Sequence, residues 1–147
     1  MVFILKIATG CLLALAWGRD TTLVDSRHPE VHWYYQGWDA LQNRKWDEAV
    51  TYFSRFLKEN PDHVYADRAL DHVGDAYLGS GEYSSVLMTG RKLEDNFPYS
   101  MKRSENMVRR AISYQKLGRE DLAKDELLSF RQRFPEMGLI PLPTGRG

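Results

Sequence analysis

Residues 107–135 read MVRRAISYQKLGREDLAKDELLSFRQRFP. Met107, Ala111, Ile112 and Tyr114 recur at helical spacing, and Leu117-Gly118 interrupts the pattern. A second run carries Leu122, Ala123, Leu127 and Phe130 on one stripe, and Phe134-Pro135 ends it. Apolar residues three and four apart define one face of an amphipathic helix. Glycine supplies the left-handed conformation that closes a helix, and proline prevents a helix from continuing. The stretch is therefore a helical hairpin, with helix A over about 101–116 and helix B over about 120–133.

Working outward, the same pattern occurs twice more. Glu59-Asn60-Pro61, Asn96-Phe97-Pro98 and Arg133-Phe134-Pro135 place prolines 37 and 37 residues apart. In that register Gly37, Gly74 and Ala111 fall together, as do Ala49, Val86 and Ala123, and Phe56, Leu93 and Phe130. Asp47, Ser84 and Asp121 align just before each helix B. Unit one gives helices over about 29–43 and 47–59; unit two gives about 65–79 and 83–96, with Gly79-Ser80-Gly81 as its turn. Small residues at Gly37, Gly74 and Ala111 are expected to bring each helix A close to helix B of its own hairpin. Large residues such as Tyr77 and Tyr114 are expected to fill the space between hairpins. One hairpin cannot bury its apolar face alone, and stacking three builds a continuous core.

This array resembles the tetratricopeptide repeat (TPR) superfamily. Ala111, Tyr114, Gly118, Ala123 and Pro135 match its pattern. So do Gly74, Tyr77, Gly81, Tyr83 and Pro98, and in unit one Trp33, Gly37, Trp46, Ala49, Phe53 and Pro61. The usual repeat has about 34 residues; the three extra ones follow the proline, as in Pro98-Tyr99-Ser100-Met101. Longer repeats of this kind resemble those of exported bacterial lipoproteins. These include the outer-membrane barrel-assembly TPR lipoprotein and the periplasmic TPR protein that coordinates the Tol-Pal system with wall synthesis. The resemblance implies an all-α solenoid of three hairpins, spanning 29–64, 65–100 and 101–135. It also implies a non-catalytic scaffold that binds a protein or peptide partner in the periplasm or cell envelope, in envelope or outer-membrane assembly. The alternative is a membrane-anchored intracellular adaptor in protein-complex assembly.

The flanks set the address. Residues 1–18, MVFILKIATGCLLALAWG, hold a single charge, Lys6. Ile7–Trp17 is uncharged and short of the roughly 20 apolar residues of a membrane span, but fits the h-region of a signal peptide. Ala14-Leu15-Ala16 suggests cleavage after Ala16; retained, residues 1–18 would be an anchor and the only membrane contact. Ala8-Thr9-Gly10-Cys11 resembles a bacterial lipobox, which would make Cys11 a lipidation site. Alanine stands where leucine is usual and apolar residues follow, so an apolar cysteine within a signal peptide is the better reading. Residues 19–28 form a linker. In the tail, 136–147, prolines and glycines make a capping helix improbable. Leu139, Ile140 and Leu142, a partner or a second copy would then cover the uncapped third repeat.

Composition and motifs argue against most chemistry. With 20 Lys+Arg against 20 Asp+Glu, the chain lacks the basic excess of nucleic-acid-binding surfaces. A lone cysteine excludes an internal disulfide and a cysteine-rich zinc site. His28 and His32 are four apart, but Pro29 and Glu30 do not make a zincin motif. Asp67, Asp71 and Asp75 share one helix face without the loop of a Ca²⁺ motif, and read as a solvated or ligand-facing stripe. His63 and His72 have no evident partners. Gly79-Ser80-Gly81 lacks the lysine of a phosphate loop. No catalytic, cofactor or metal site is expected.

The A helices of a TPR array line a groove, and the resemblance puts the partner there. Unit one offers Tyr34, Trp38, Leu41 and Gln42; unit two Arg68, Asp71, Asp75 and Leu78; unit three Glu105, Val108, Ile112 and Gln115. A peptide or helix with apolar anchors and a basic centre would complement this set. The competing reading has Tyr34 and Trp38 covering their own core or residues 19–28. The carboxylate clamp of chaperone-tail TPR domains is disfavoured. Its places hold Tyr34, Trp38, His72, Glu105 and Arg109, of which only Arg109 fits.

Overall fold

A computed structural model describes residues 28–137. The proposed signal or anchor 1–18, Cys11, the linker up to residue 27 and the tail from residue 138 lie outside the described residues. A 3-10 turn, Pro29–Val31, leads into six helices: α1 (His32–Gln42), α2 (Trp46–Glu59), α3 (Ala66–Ser80), α4 (Tyr83–Asn96), α5 (Arg103–Lys116) and α6 (Glu120–Arg133). A second 3-10 turn, Pro135–Met137, follows. Each helix packs on the next, and the first helices of successive hairpins also touch, α1 on α3 and α3 on α5. The result is a right-sized stack of three hairpins, all-α among the described residues. No described helix is long and apolar enough to cross a membrane.

The 37-residue register is visible in the turns. Arg44, Gly81 and Gly118 are spaced at that interval, and all three have positive φ: 57°, 82° and 71°. In each turn the amide that follows the positive-φ residue bonds back to a carbonyl of the helix's last turn: Lys45 to Ala40, Glu82 to Tyr77 and Arg119 to Tyr114, at 2.9, 2.9 and 2.8 Å. This is the glycine-favouring helix stop, executed by arginine in the first hairpin. At the other end, Asn60, Phe97 and Phe134 leave the helical region with φ of −136°, −130° and −132°. The proline after each disfavours the α conformation of the residue before it.

The core forms where the columns predict it. Phe53, Phe56, Val86, Leu93 and Met107 are almost wholly buried, beside Ala49, Ala69, Ala76 and Ala123. Each large side chain so buried contributes roughly 1.5–3 kcal/mol. A Cβ on Gly37 would lie 2.9 Å from the ring of Phe53, so that glycine brings α1 onto α2 of its own hairpin as expected. Gly74 departs from expectation. A Cβ there would meet Arg109 Nη1 at 3.0 Å, so its smallness serves contact with the next hairpin, where a guanidinium is threaded past α3.

Candidate functional site

The helix-A row is built from one motif used twice. On α1, Tyr34 and Trp38 lie one turn apart and flank His72 of α3. The ring centroids are 6.1 and 5.0 Å from the imidazole, and Tyr34 Oη stands 3.4 Å from His72 Nε2. Adding 37 to each number gives Asp71, Asp75 and Arg109. Arg109 Nη1 donates to Asp71 Oδ1 at 2.9 Å. Its Nε and Nη2 donate to Asp75 Oδ1 at 3.0 and 2.6 Å. The first interface between A helices is thus aromatic and the second ionic, with the same positions gripping in both.

This corrects the acidic stripe. Asp71 is 2% exposed, and the two carboxylates expected in the middle of the groove are both paired from within by the one guanidinium of Arg109. Asp67 is likewise engaged, accepting from Ser100 Oγ at 2.6 Å. Burial pushes the Asp71 carboxyl above its ordinary range against the pull of Arg109. Burial acts the same way on Asp75. There the hydrogen bond from His72 and the charge of Arg109 prevail, and its carboxyl sits below the ordinary range. Arg109 is held above its usual value, its own desolvation outweighed by the two aspartates. Asp71 Oδ2 has no hydrogen bond; Lys102 Nζ stands 3.9 Å away. His72 is also not isolated: Nδ1 lies 3.3 Å from Asp75 Oδ2. His63 packs on Phe56 and Tyr65, and its Nδ1 accepts the Tyr65 amide at 3.1 Å.

Asp71, His72 and Asp75 bring potential metal-ligand atoms within 4.8 Å of one another. The donor set does not fit a divalent ion. A guanidinium already bonds one oxygen of each aspartate, and a second cation would face Arg109 at contact distance.

Adding 37 once more to Tyr34 and Trp38 gives Val108 and Ile112 on α5. Here the gripping pair is aliphatic, and no further A helix follows it among the described residues. The two side chains line an open depression of about 370 Å³ with Leu78, Phe130 and Met137, and with Asp75 and Glu105 at its polar margin. Glu105 is tied to Lys102 at 2.9 Å. Five of the expected groove residues therefore converge at one end: Asp75, Leu78, Glu105, Val108 and Ile112. The rest do not join them. Tyr34 packs into the core against Phe53, Phe56 and Tyr65, while Trp38 keeps 40% of its surface in solvent. Leu41 packs against the core of the first hairpins. Gln42 is exposed and Gln115 half-buried; the Arg68 guanidinium lies over the Tyr65 ring at 5.4 Å. Phe130 and Met137 went unread as site residues because they come from α6 and the turn beyond it. The repeat register carried the signal for His72.

These features define a class: an α-solenoid of helical hairpins whose helix-A row ends in an apolar depression. Two tetratricopeptide-repeat family models match the chain, one over residues 33–63 and one over 105–136. They support placing it in the TPR superfamily, and the middle hairpin between them repeats the same geometry. No curated protein compared with the chain matches it. TPR repeats are generally non-catalytic and typically bind protein or peptide partners.

Proposed function

We propose that this protein is a non-catalytic scaffold whose partner inserts an apolar side chain between Val108 and Ile112. The observation that carries this reading is the unfilled third use of the gripping motif. Tyr34 and Trp38 hold His72, Asp71 and Asp75 hold Arg109, and Val108 and Ile112 face an open depression. A partner helix or peptide would complete the row as a fourth A helix does in a longer array. Its anchor would be aliphatic or aromatic, since the aspartates that suggested a basic centre are already paired. Buried anchors of this kind dominate binding energies.

We place the scaffold in the periplasm or cell envelope, in envelope or outer-membrane assembly; the export-like residues 1–18 and the longer repeat support that setting. The intact mass of the protein from its native cells tests the address. A mature N-terminus at Trp17 supports export, and an intact Met1 supports the membrane-anchored intracellular adaptor. The site is tested by crosslinking in the native envelope fraction. Ile112→Asp, at an already exposed position, should abolish the partner adduct while the melting temperature holds. An undiminished adduct moves the site elsewhere. Trp38→Ala then reports whether the aromatic end contributes.

A further inference from the structure

A second surface lies on the opposite side of α5 from Val108 and Ile112. Leu87, Met88 and Arg91 on α4 face Arg110 and Tyr114 on α5, and Arg119 closes the end at the start of α6. Together they line a depression of about 310 Å³ that also includes Ser84 and Leu117. Its lining holds three arginines and no carboxylate. Arg110 forms the floor: its stem crosses α4 at Gly90, where a Cβ would lie 2.7 Å from Arg110 Cδ. Its guanidinium is fixed by Glu94 and Glu126 at 3.3 and 3.0 Å. Arg91 and Arg119 are exposed and make no ion pair among the described residues. Met88 beside them is 75% exposed.

The repeat shows that packing does not demand arginine at 91 or 119. In the preceding groove, between α2 and α3, the same register positions hold Ser54, Val73 and Glu82 where this groove has Arg91, Arg110 and Arg119. Asp47 stands in the place of Ser84. Over the eight lining positions the earlier groove carries two carboxylates and no cation; the later one carries no carboxylate, and once Arg110 is paired with Glu94 and Glu126 it keeps two guanidiniums unpaired among the described residues, Arg91 and Arg119. The hairpins stack in both cases. The reversal of charge is therefore an addition to the fold, placed beside an exposed apolar side chain.

We propose that the α4–α5 groove is a second docking site, which takes an acidic segment of a partner protein. Aspartate or glutamate side chains of that segment pair with Arg91 and Arg119, whose planar forks match a carboxylate. An adjacent apolar side chain covers Met88 and Leu117. The site is independent of the depression at Val108 and Ile112.

The test is an NMR titration of the isotope-labelled full chain with an acetylated, amidated peptide alternating glutamate and leucine. The amides of Leu87, Met88, Leu117 and Arg119 should shift. The double variant Arg91→Glu with Arg119→Glu, both exposed positions, should bind at least about tenfold more weakly with an unchanged melting temperature. Ile112→Asp should bind the peptide like the native chain. The proposal is overturned if the double variant binds equally well, or if a lysine–leucine peptide gives the same shifts. It is also overturned if the shifts map to Val108 and Ile112. Two further results would replace the occupant: the same shifts with inorganic phosphate alone at lower concentration, or with added unlabelled chain, which would make the partner a second copy.

Discussion

Replacing Arg109 with methionine removes the cation that two aspartates share across the α3–α5 interface. The Asp71 side chain is 1% exposed, and Arg109 Nη1 is its one hydrogen-bond donor at Oδ1. Breaking a buried pair by removing one partner costs about 3–5 kcal/mol, because the remaining charge is left without compensation. For a domain of this size each kcal/mol lowers the melting temperature by roughly 4 °C or more, so a fall of at least about 12 °C is expected at pH 7. The pH dependence gives a second reading. Burial already holds the Asp71 carboxyl above its unfolded value, and loss of Arg109 raises it further. A carboxyl that binds its proton more tightly when folded weakens the fold as pH rises through the window from its unfolded to its folded value. Lowering the pH through that window therefore restores part of what the variant lost. Asp75 acts oppositely in the native chain. Its depressed carboxyl contributes stability above the ordinary carboxylate range, and that contribution is lost as pH falls through its folded value. The gap between native and variant should narrow from both sides on acidification from pH 7. Urea unfolding at several pH values measures it. Equal midpoints at pH 7, or a gap that does not change with pH, would refute the account. Adding Asp71→Leu to Arg109→Met should recover part of the loss, since the fully buried charge goes with its partner, while Asp75, with 39% of its side chain exposed, keeps water and His72.

Three other substitutions test the turns and the packing. Arg44→Gly relieves a left-handed residue, which costs about 1–2 kcal/mol for a non-glycine side chain, against about 0.5–1 kcal/mol for the freer unfolded glycine. A small rise in the urea midpoint is expected, and a fall would show that the Arg44 side chain supplies a compensating contact. Gly37→Ala gains about 1 kcal/mol of helix propensity, but its methyl would lie 2.9 Å from three atoms of the fully buried Phe53 ring. Overpacking of about 1–3 kcal/mol should leave the variant less stable in the same assay. Asn106→Leu removes the donor that reaches Gly90 O at 3.0 Å in the buried α4–α5 contact. The loss of about 1–3 kcal/mol should appear as faster hydrogen exchange in α4 and α5.

Local signals carried the fold into the sequence. Prolines at 61, 98 and 135 end each helix B, and the apolar stripes fix its buried face, so both kinds of helix were readable to within a few residues. The site was less legible because its contacts join residues 34 to 38 apart. Asp71 and Asp75 share a helix face in any reading, and a face of carboxylates looks solvated until its partner is known. That partner, Arg109, sits in the register of His72, and His72 is gripped by the register equivalents of the two aspartates. The repeat that revealed the fold also encoded the pairing, but only once one interface was seen. Gly74 was read as a hairpin contact for the same reason: spacing marks a position as close-packed without saying which neighbour closes on it.

The exposed end of the array follows from the same columns. Trp46, Val50 and Leu57 on α2 pack towards α3, with Trp46 lying against Gly79 and Leu57 beside Val73 and Tyr77. The same positions on α4 hold Tyr83, Leu87 and Glu94, and on α6 Glu120, Lys124 and Arg131. The face that would receive another hairpin thus turns from apolar to charged along the chain, as terminal repeats do to stay soluble. A second copy stacked on α6 would have to desolvate those charges, whereas Val108 and Ile112 on the helix-A row remain apolar. Association through the third repeat is therefore expected at the helix-A row and not at α6. Lys124→Val with Arg131→Leu restores the inner-repeat pattern on α6. It should give the variant a stronger, concentration-dependent self-association than the native chain shows. An unchanged sedimentation coefficient would mean that α6 is closed by something other than its charges.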